Sequence, residues 1–389
     1  MRALFIETAI WKDEGKPSVS GGDVRFIEIA KYWQKFGIEV HVMTTEAGIE
    51  LCEKLGLNAV FHPIKVRDDY SKISYIVRAI KSFAIPSDIK HFKGIIYSAT
   101  DLLIDVMPGA IIKKNNPNNV FVVVSHFIPP LVRKGTSIIN SIMFYANHRI
   151  GIMEAKKYAD LIFAVSEPTA RDLVRIGMPS HKIKTVDAGV HYEKTRELAT
   201  QVKEKEYDGI FMKRLDKTKG VIDAIFAWEY VVKSIPQAKL ILVGHGTKQT
   251  YEELKRIIVK KNLINNVIIA GPIYEFSQKI ITLAKSKVFL LPSYEENWAI
   301  VIGEALATGI PVIAYELPEI KPIWKDSVIW VRKGDIKSLA NKVVELLENP
   351  NLRNEIANKG IEYVKKYDWK IIAEKELKMV LAHVKSSNK

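Results

Sequence analysis

Short strand patterns alternate with helical patterns along the whole chain. That predicts an α/β protein built as two doubly wound, Rossmann-like parallel-sheet domains facing across a cleft. Two further observations support two domains rather than one. The 389 residues exceed what one ordinary core accommodates. The strand series is also interrupted once, at residues 191–207, by a polar, charged stretch with no clear buried face.

The elements follow in order. Residues 3–8 predict a strand, followed by a Gly/Ser/Lys loop to Gly21-Gly22 and a helical pattern to Phe36. Further strands are predicted at 38–43, 59–64, 94–98, 120–125, 161–166 and 184–186, with helices between them. After the link at 191–207 a second series runs through 209–212, 239–243, 267–270, 288–291, 311–314 and 328–331. The tail from Asp335 is helical, broken at Asn349-Pro350 and near Tyr367-Asp368-Trp369. This predicts a first domain over 1–190, a link over 191–207 and a second domain over 208–368. A terminal helix over 369–389 is expected to pack back on the first domain.

Hydrophobic residues make up 48% and charged residues 26%, as in ordinary globular proteins. The single cysteine, Cys52, excludes an internal disulfide framework and points to a reducing cytosol. No apolar run reaches the roughly 18–20 residues that span a bilayer, and residues 1–10 read as a strand rather than a signal peptide. A cytoplasmic protein is expected, with peripheral attachment to the inner membrane face left open. The net charge of +14 admits phosphorylated substrates, an anionic membrane or nucleic acid. It comes mostly from dispersed lysines, a pattern also found in hyperthermophile proteins. With no recognisable nucleic-acid module, nucleic acid is not expected as a partner.

The chemistry concentrates in the second half. At residues 288–314, a buried strand ends at Leu291, a polar loop follows, and an apolar helix runs to Gly309. Two carboxylates stand here, Glu296 and Glu304, and ionised carboxylates are seldom set against a core without a partner. With a helix starting near Asn297, Glu304 would lie about 12 Å along the axis from Glu296 at ~1.5 Å per residue. That suits opposite ends of one extended ligand. Upstream, a strand end carries Arg214, and Lys219 precedes a helix start. A cation fork, a point charge and unpaired helix amides make a diphosphate site. Gly244-His245-Gly246 after a strand lets backbone approach a ligand closely, although no third glycine completes a dinucleotide fingerprint. A Gly turn at 271–273 ends a third strand. No cluster of metal-ligating residues is evident.

Taken together these pieces resemble the donor-binding domain of retaining GT-B glycosyltransferases, glycosyltransferase family 4. The matching residues are Arg214-Leu215 with Lys219-Gly220, Leu242 to Gly246, and Leu291-Pro292-Ser293. They continue through Glu296, Glu304-Ala305-Leu306-Ala307, Gly309, Pro311 to Ala314, and Pro318-Glu319-Ile320. The resemblance implies a GT-B architecture and a hexosyltransferase-type activity that closes around its donor. The donor is a nucleotide diphosphate-sugar, and the acceptor a glycan, a lipid-linked species or a small molecule. It gives Glu304 the ribose. Glu296, with the backbone amides of Asn297, Trp298, Ala299 and Ile300, holds the sugar and distal phosphate. Arg214 and Lys219 neutralise the leaving diphosphate without a metal or other cofactor, and Ile273 and Gly246 flank the donor. In the first half, Gly22 in a Gly-rich turn and His126 at a strand end resemble the family's phosphate-approach and sugar-side positions.

The departures are specific. Asn297-Trp298-Ala299 replaces the family's Gly-Phe-Gly, reshaping the sugar pocket. Lys213 stands where glycine is common, adding a cation near the diphosphate. Ala188 and His191 differ from the family's Asn and Asp. Glu296 is the only nameable carboxylate nucleophile, and the resemblance places it at sugar hydroxyls, which favours same-face attack over a covalent intermediate. Two other classes remain, a nucleotide-sugar epimerase on the same architecture and a basic non-catalytic nucleic-acid-binding protein. Residues 133–149 have basic ends around an apolar, aromatic middle. They read either as a core helix or as a surface lying on an anionic membrane.

Overall fold

The computed structural model describes residues 1–13, 15–67, 69, 71–132 and 137–387. It divides into two compact units, Met1–Ala188 with Trp369–Lys389, and Gly189–Asp368.

The first unit begins with β1 (Arg2–Glu7) and a two-stranded hairpin, β2 (Lys12–Asp13) and β3 (Lys16–Pro17). The sequence reads that hairpin as loop because its strands are too short to carry a period. Then follow α1 (Gly21–Lys35), β4 (Glu39–Thr44), α2 (Glu46–Lys54), β5 (Val60–Pro63), α3 (Lys72–Lys81) and β6 (Ile95–Ser98). The unit continues with α4 (Leu103–Asn115), β7 (Val120–Ser125), α5 (Ile138–Tyr158), β8 (Leu161–Ala164), α6 (Glu167–Arg175) and β9 (Ile183–Thr185). Its seven-stranded sheet runs in the order β5-β4-β1-β6-β7-β8-β9, and every pairing is parallel. A parallel sheet covered on both faces wants continuous apolar strands, and all six residues of β7 are buried.

The second unit opens with α7 (Tyr192–Gln201), β10 (Tyr207–Met212), α8 (Val221–Ser234), β11 (Leu240–Val243), α9 (Lys248–Lys260) and β12 (Val267–Gly271). Next come α10 (Phe276–Ala284), β13 (Ser286–Leu291), α11 (Ile300–Thr308), β14 (Val312–Tyr315), α12 (Lys321–Trp324) and β15 (Ile329–Val331). It closes with α13 (Ile336–Glu348) and α14 (Pro350–Val364). Its six-stranded sheet has the order β12-β11-β10-β13-β14-β15, again all parallel.

The stretch 191–207, expected as a link, carries α7, with Tyr192, Thr195 and Ala199 buried. Three buried positions on a ten-residue helix are too few to register as an apolar stripe in sequence. Helix α11 starts at Ile300 rather than near Asn297. Ala299 before it is left-handed, φ 58°, and Glu304 is therefore only the fifth helical residue. The axial spacing of 12 Å between the two carboxylates does not apply, because Glu296 lies outside the helix. Residues 133–136, the basic start of the stretch 133–149, lie outside the described residues.

In each sheet the chain leaves its first strand toward one side and later returns on the other, reversing direction between β1 and β6 and between β10 and β13. Ligands of open α/β sheets bind beyond the carboxyl ends of strands at this reversal. The reversal between β10 and β13 has Lys213 after one strand and Glu296 after the other.

The terminal helix α15 (Trp369–Ser387) is pinned within the first unit by a buried ion pair between Arg25 and Glu376. Arg25 also donates to Tyr97 Oη at 2.9 Å, and Tyr97 donates to Glu376 Oε2 at 2.9 Å. Trp33 Nε1 reaches Ala373 O at 3.1 Å. Removing one member of such a pair leaves an uncompensated buried charge. Glu376→Ala is expected to cost about 3–5 kcal/mol in denaturant unfolding. Arg25→Met with Glu376→Leu should recover most of it, and a double variant as unstable as the single would reject the ion pair as the cause.

Candidate active site

After β10, Lys213 and Arg214 lead into a 3-10 turn, Lys217–Lys219, capped by Asp216. The Asp216 carboxylate accepts from the amides of Thr218 and Lys219 at 2.9 and 3.0 Å. Gly220 then turns left-handed, φ 77°, before α8. A Cβ there would run into the Pro292 carbonyl, so only glycine lets this loop approach the end of β13. Cross-links fix the two loops together. Tyr294 N donates to Thr218 O at 2.9 Å. Lys219 Nζ donates to Glu295 O at 2.7 Å. Tyr294 and Tyr315 both donate to Asp223 Oδ2, at 2.8 and 2.7 Å.

Glu296 is the centre of this arrangement. Its buried carboxylate accepts from Lys213 Nζ at 3.1 Å and Ser293 Oγ at 2.9 Å, with Lys219 Nζ at 3.4 Å. Burial pushes its pKa up, but the charges of Lys213 and Lys219 with the two hydrogen bonds outweigh burial and hold it below the ordinary value. Two ammonium groups around one carboxylate leave a net positive site. Helix α11 begins beside it with no side-chain cap, its third amide, Ile302 N, being taken by Ala299 O at 2.8 Å.

Arg214 does not join Glu296. Its exposed guanidinium faces Asp216 at 3.4 Å, at the rim of the lysine pair. Lys213, which the sequence marks only as a departure from a glycine, makes the shorter of the two cation contacts to Glu296. Glu304 is buried on α11 and its Oε1 pairs with Lys279 Nζ of α10 at 2.5 Å. No sequence signal links these two positions; α10 brings the lysine across. Asn297 is exposed, while Trp298 is buried edge-on against Trp324 and Tyr367, ring centroids 4.6 and 5.2 Å away. The indole therefore turns into the unit's packing, and Ala299 adopts the left-handed backbone that a glycine would otherwise supply. Gly246 packs its backbone near Leu215, and Ile273 is half-buried in the loop after β12.

In the first unit, Gly22 in the first turn of α1 lies against His126, whose ring would sit 3.4 Å from an added Cβ. Ser20 caps α1 in a box with Asp23. His126 Nε2 faces Ala99 O at 3.0 Å, which fixes that nitrogen as the donor and leaves Nδ1 as the acceptor. Burial and then the Arg25 charge push His126 down to about 4, so it is neutral at physiological pH. The sequence reading did not single out the acidic group at the carboxyl end of β1. Asp105 accepts from Thr8 N and Oγ1, both at 2.7 Å. Glu7 accepts from Ala9 N at 3.0 Å, and its buried Oε2 has no partner among the described residues. Its signal was an acid ending an otherwise apolar strand.

Burial, then Asp105 and Asp23, push Glu7 well above the ordinary carboxyl range. A carboxyl with a raised folded pKa contributes stability that is complete below its unfolded value and lost as pH rises through the folded one. Glu7→Gln should therefore match wild type in acid and become relatively more stable toward neutral and mildly alkaline pH. Urea unfolding at stepped pH measures this, and a difference that does not change with pH would reject the raised pKa of Glu7.

Two family models cover most of the chain, Glycosyl transferases group 1 over residues 194–363 and Glycosyltransferase Family 4 over residues 19–194. The chain is a group 1, family 4-type glycosyltransferase. Among characterised proteins it is 25% identical over 369 residues to an N-acetyl-alpha-D-glucosaminyl L-malate synthase of Bacillus anthracis, covering 90% of each chain. It is 28% identical to a phosphatidyl-myo-inositol mannosyltransferase of Mycobacterium leprae over 174 residues, 44% of this chain and 45% of that one. The crystal structure of Anabaena HepE with UDP and glucose superposes with a TM-score of 0.73 at 19% identity, over 98% of this chain and 99% of that one. The fold is thus GT-B, two Rossmann-like parallel-sheet domains.

Proposed function

We propose that this glycosyltransferase moves a hexose from a nucleotide diphosphate-sugar to an acceptor hydroxyl with retention of anomeric configuration and without a metal. The observation that carries the reading is the site at the reversal point of the second sheet. There Lys213 and Lys219 exceed the charge of Glu296, and an uncapped helix start lies alongside. A diphosphate supplies the missing negative charge, and Arg214 at the rim is placed to share it.

Glu304 takes the ribose hydroxyls, sharing its carboxylate with Lys279, and Glu296 with the amides from Asn297 to Ile300 holds the sugar. The C1–O bond to the diphosphate breaks with its electron pair going to the phosphate. The acceptor oxygen bonds to C1 on the same face and passes its proton to a phosphate oxygen. Glu296 takes no covalent part, because its carboxylate is already engaged by two lysines and Ser293. His126 Nδ1 accepts a hydroxyl of sugar or acceptor. The acceptor is a glycan or a lipid-linked species, reached by a cytoplasmic enzyme in peripheral contact with an anionic membrane. The HepE complex makes UDP-glucose the first donor to try.

A thermal-shift panel of UDP-, GDP- and ADP-sugars with and without EDTA tests the donor; one of them should stabilise the protein equally in both, and stabilisation lost with EDTA would reject metal independence. Glu304→Ala should weaken nucleotide binding by about ten- to a hundredfold, the worth of hydrogen bonds to a charged group. Unchanged affinity removes the ribose role. Lys219→Ala should lower kcat about 10²–10³-fold, as loss of a transition-state donor does, and full turnover would remove its leaving-group role. A glycosyl adduct on Glu296 by mass spectrometry would overturn same-face attack.

A further inference from the structure

Helix α3 is amphipathic with its faces reversed. Its polar positions Ser74 and Arg78, and Ser82 just beyond, are buried at 0%, 1% and 2% exposure. Arg78 donates to Thr8 O and to Arg67 O, and lies 3.8 Å over the Trp11 ring. The apolar face points outward, with Ile76 at 51%, Ile80 at 66% and Phe83 at 57% exposure, and Ile73 beside them. Helix α5 continues this surface through exposed Ile138, Ile139, Ile142, Ile150 and Met153. Isolated exposed apolar residues need no explanation, but a contiguous face of this kind marks an interaction surface.

Between the two helices runs an apolar groove of about 530 Å³, lined by Ile76, Ile80, Phe83, Met143, Asn147 and Ile150. Its one polar wall is informative. Asn147 is buried and donates to Tyr75 Oη at 2.5 Å, while its Oδ1 has no hydrogen-bond partner among the described residues. Tyr75 stacks on Trp11, interplanar angle 4°, in the segment between β1 and β2. Through Tyr75 the groove borders the segment that follows β1, and Leu103 in its lining precedes Ile104, whose carbonyl accepts from Thr8 Oγ1 at 3.2 Å. No helix among the described residues is long and apolar enough to cross a membrane.

The charge around this face selects its occupant. Lys81 follows Ile80, while Arg149, Lys156 and Lys157 lie along and at the end of α5, and the only acid on either helix is Glu154. A second copy seated on the same face by two-fold symmetry would set these cations against their own counterparts. An anionic lipid surface attracts them, each basic side chain near it worth about fivefold in binding, and supplies hydrocarbon for both the face and the groove.

We propose that α3 and α5 form a docking face for an anionic lipid bilayer, with one acyl chain entering the groove and the lipid head group lying at its mouth. This rests on the glycosyl-transfer reading only in making that head group the acceptor.

The test is flotation of the full chain with vesicles of phosphatidylcholine alone or with one-third phosphatidylglycerol. Nucleotide-sugar thermal shift is measured on the same samples. Wild type should float at least tenfold more with the anionic vesicles, less so at high salt. Ile76→Asp with Ile80→Asp, and separately Ile139→Asp with Ile142→Asp, should lose flotation at least tenfold while keeping cooperative melting and the nucleotide-sugar shift. Ala146→Trp adds apolar surface yet fills the groove, so it should weaken flotation; stronger flotation would overturn chain entry. The docking face is overturned if wild type stays with the soluble fraction or if both aspartate pairs float unchanged. It is equally overturned if sedimentation shows a dimer that these pairs convert to monomer. A wild type that floats but shows no nucleotide-sugar shift leaves the face standing and removes the donor reading.

Discussion

The charged cluster at the reversal of the second sheet depends on one carboxylate placed where burial alone would discharge it. Glu296 stays ionised because Lys213 and Lys219 reach it from the loop after β10 while it stands in the loop after β13. The two loops meet because the chain reverses between those strands, and the sheet thereby brings residues 83 positions apart to 3.1 Å. Each partner needs the others: without the lysines Glu296 would be an unpaired buried charge, and without Glu296 two ammonium groups would face each other. The pair of cations still exceeds the single anion, which leaves the site short of negative charge.

The same logic, with the opposite outcome, governs the first unit. At the carboxyl end of β1, Glu7 has Asp105 and Asp23 near it, and burial with these charges outweighs the Ala9 amide and Arg78, so its pKa is held well above the ordinary carboxyl range. Arg78 is spent elsewhere, on the Thr8 and Arg67 carbonyls and on Trp11. That commitment is what turns α3 over. A helix that must deliver an arginine inward has to present its isoleucines outward, so the buried cation and the apolar surface are two sides of one arrangement.

Departures from the family pattern acquire physical meaning in the structure. Where the family has Gly-Phe-Gly, Trp298 finds room by packing edge-on against Trp324 and Tyr367, and Ala299 bears the left-handed conformation. The backbone course is thus kept while the side chains change. Lys213 likewise replaces a glycine and becomes a principal partner of Glu296.

The sequence by itself determined the strand–helix alternation and the parallel sheets, because buried parallel strands are continuous apolar runs bounded by Gly and Pro. It also determined the family, through Arg214, Lys219, Glu296 and Glu304 in order. Boundaries were less legible. Helix α7 was hidden by a thin buried face, and the start of α11 by Ala299, since a left-handed alanine leaves no mark in a pattern of apolar residues. Only the tertiary structure decided which charges meet: Lys279 with Glu304, Lys213 with Glu296, Arg214 with Asp216, Arg25 with Glu376. Periodicity records which face of an element is apolar, whereas partners are chosen by how elements distant in sequence cross. For α3 even the face was decided there, because one buried arginine outweighed the usual inward course of its isoleucines.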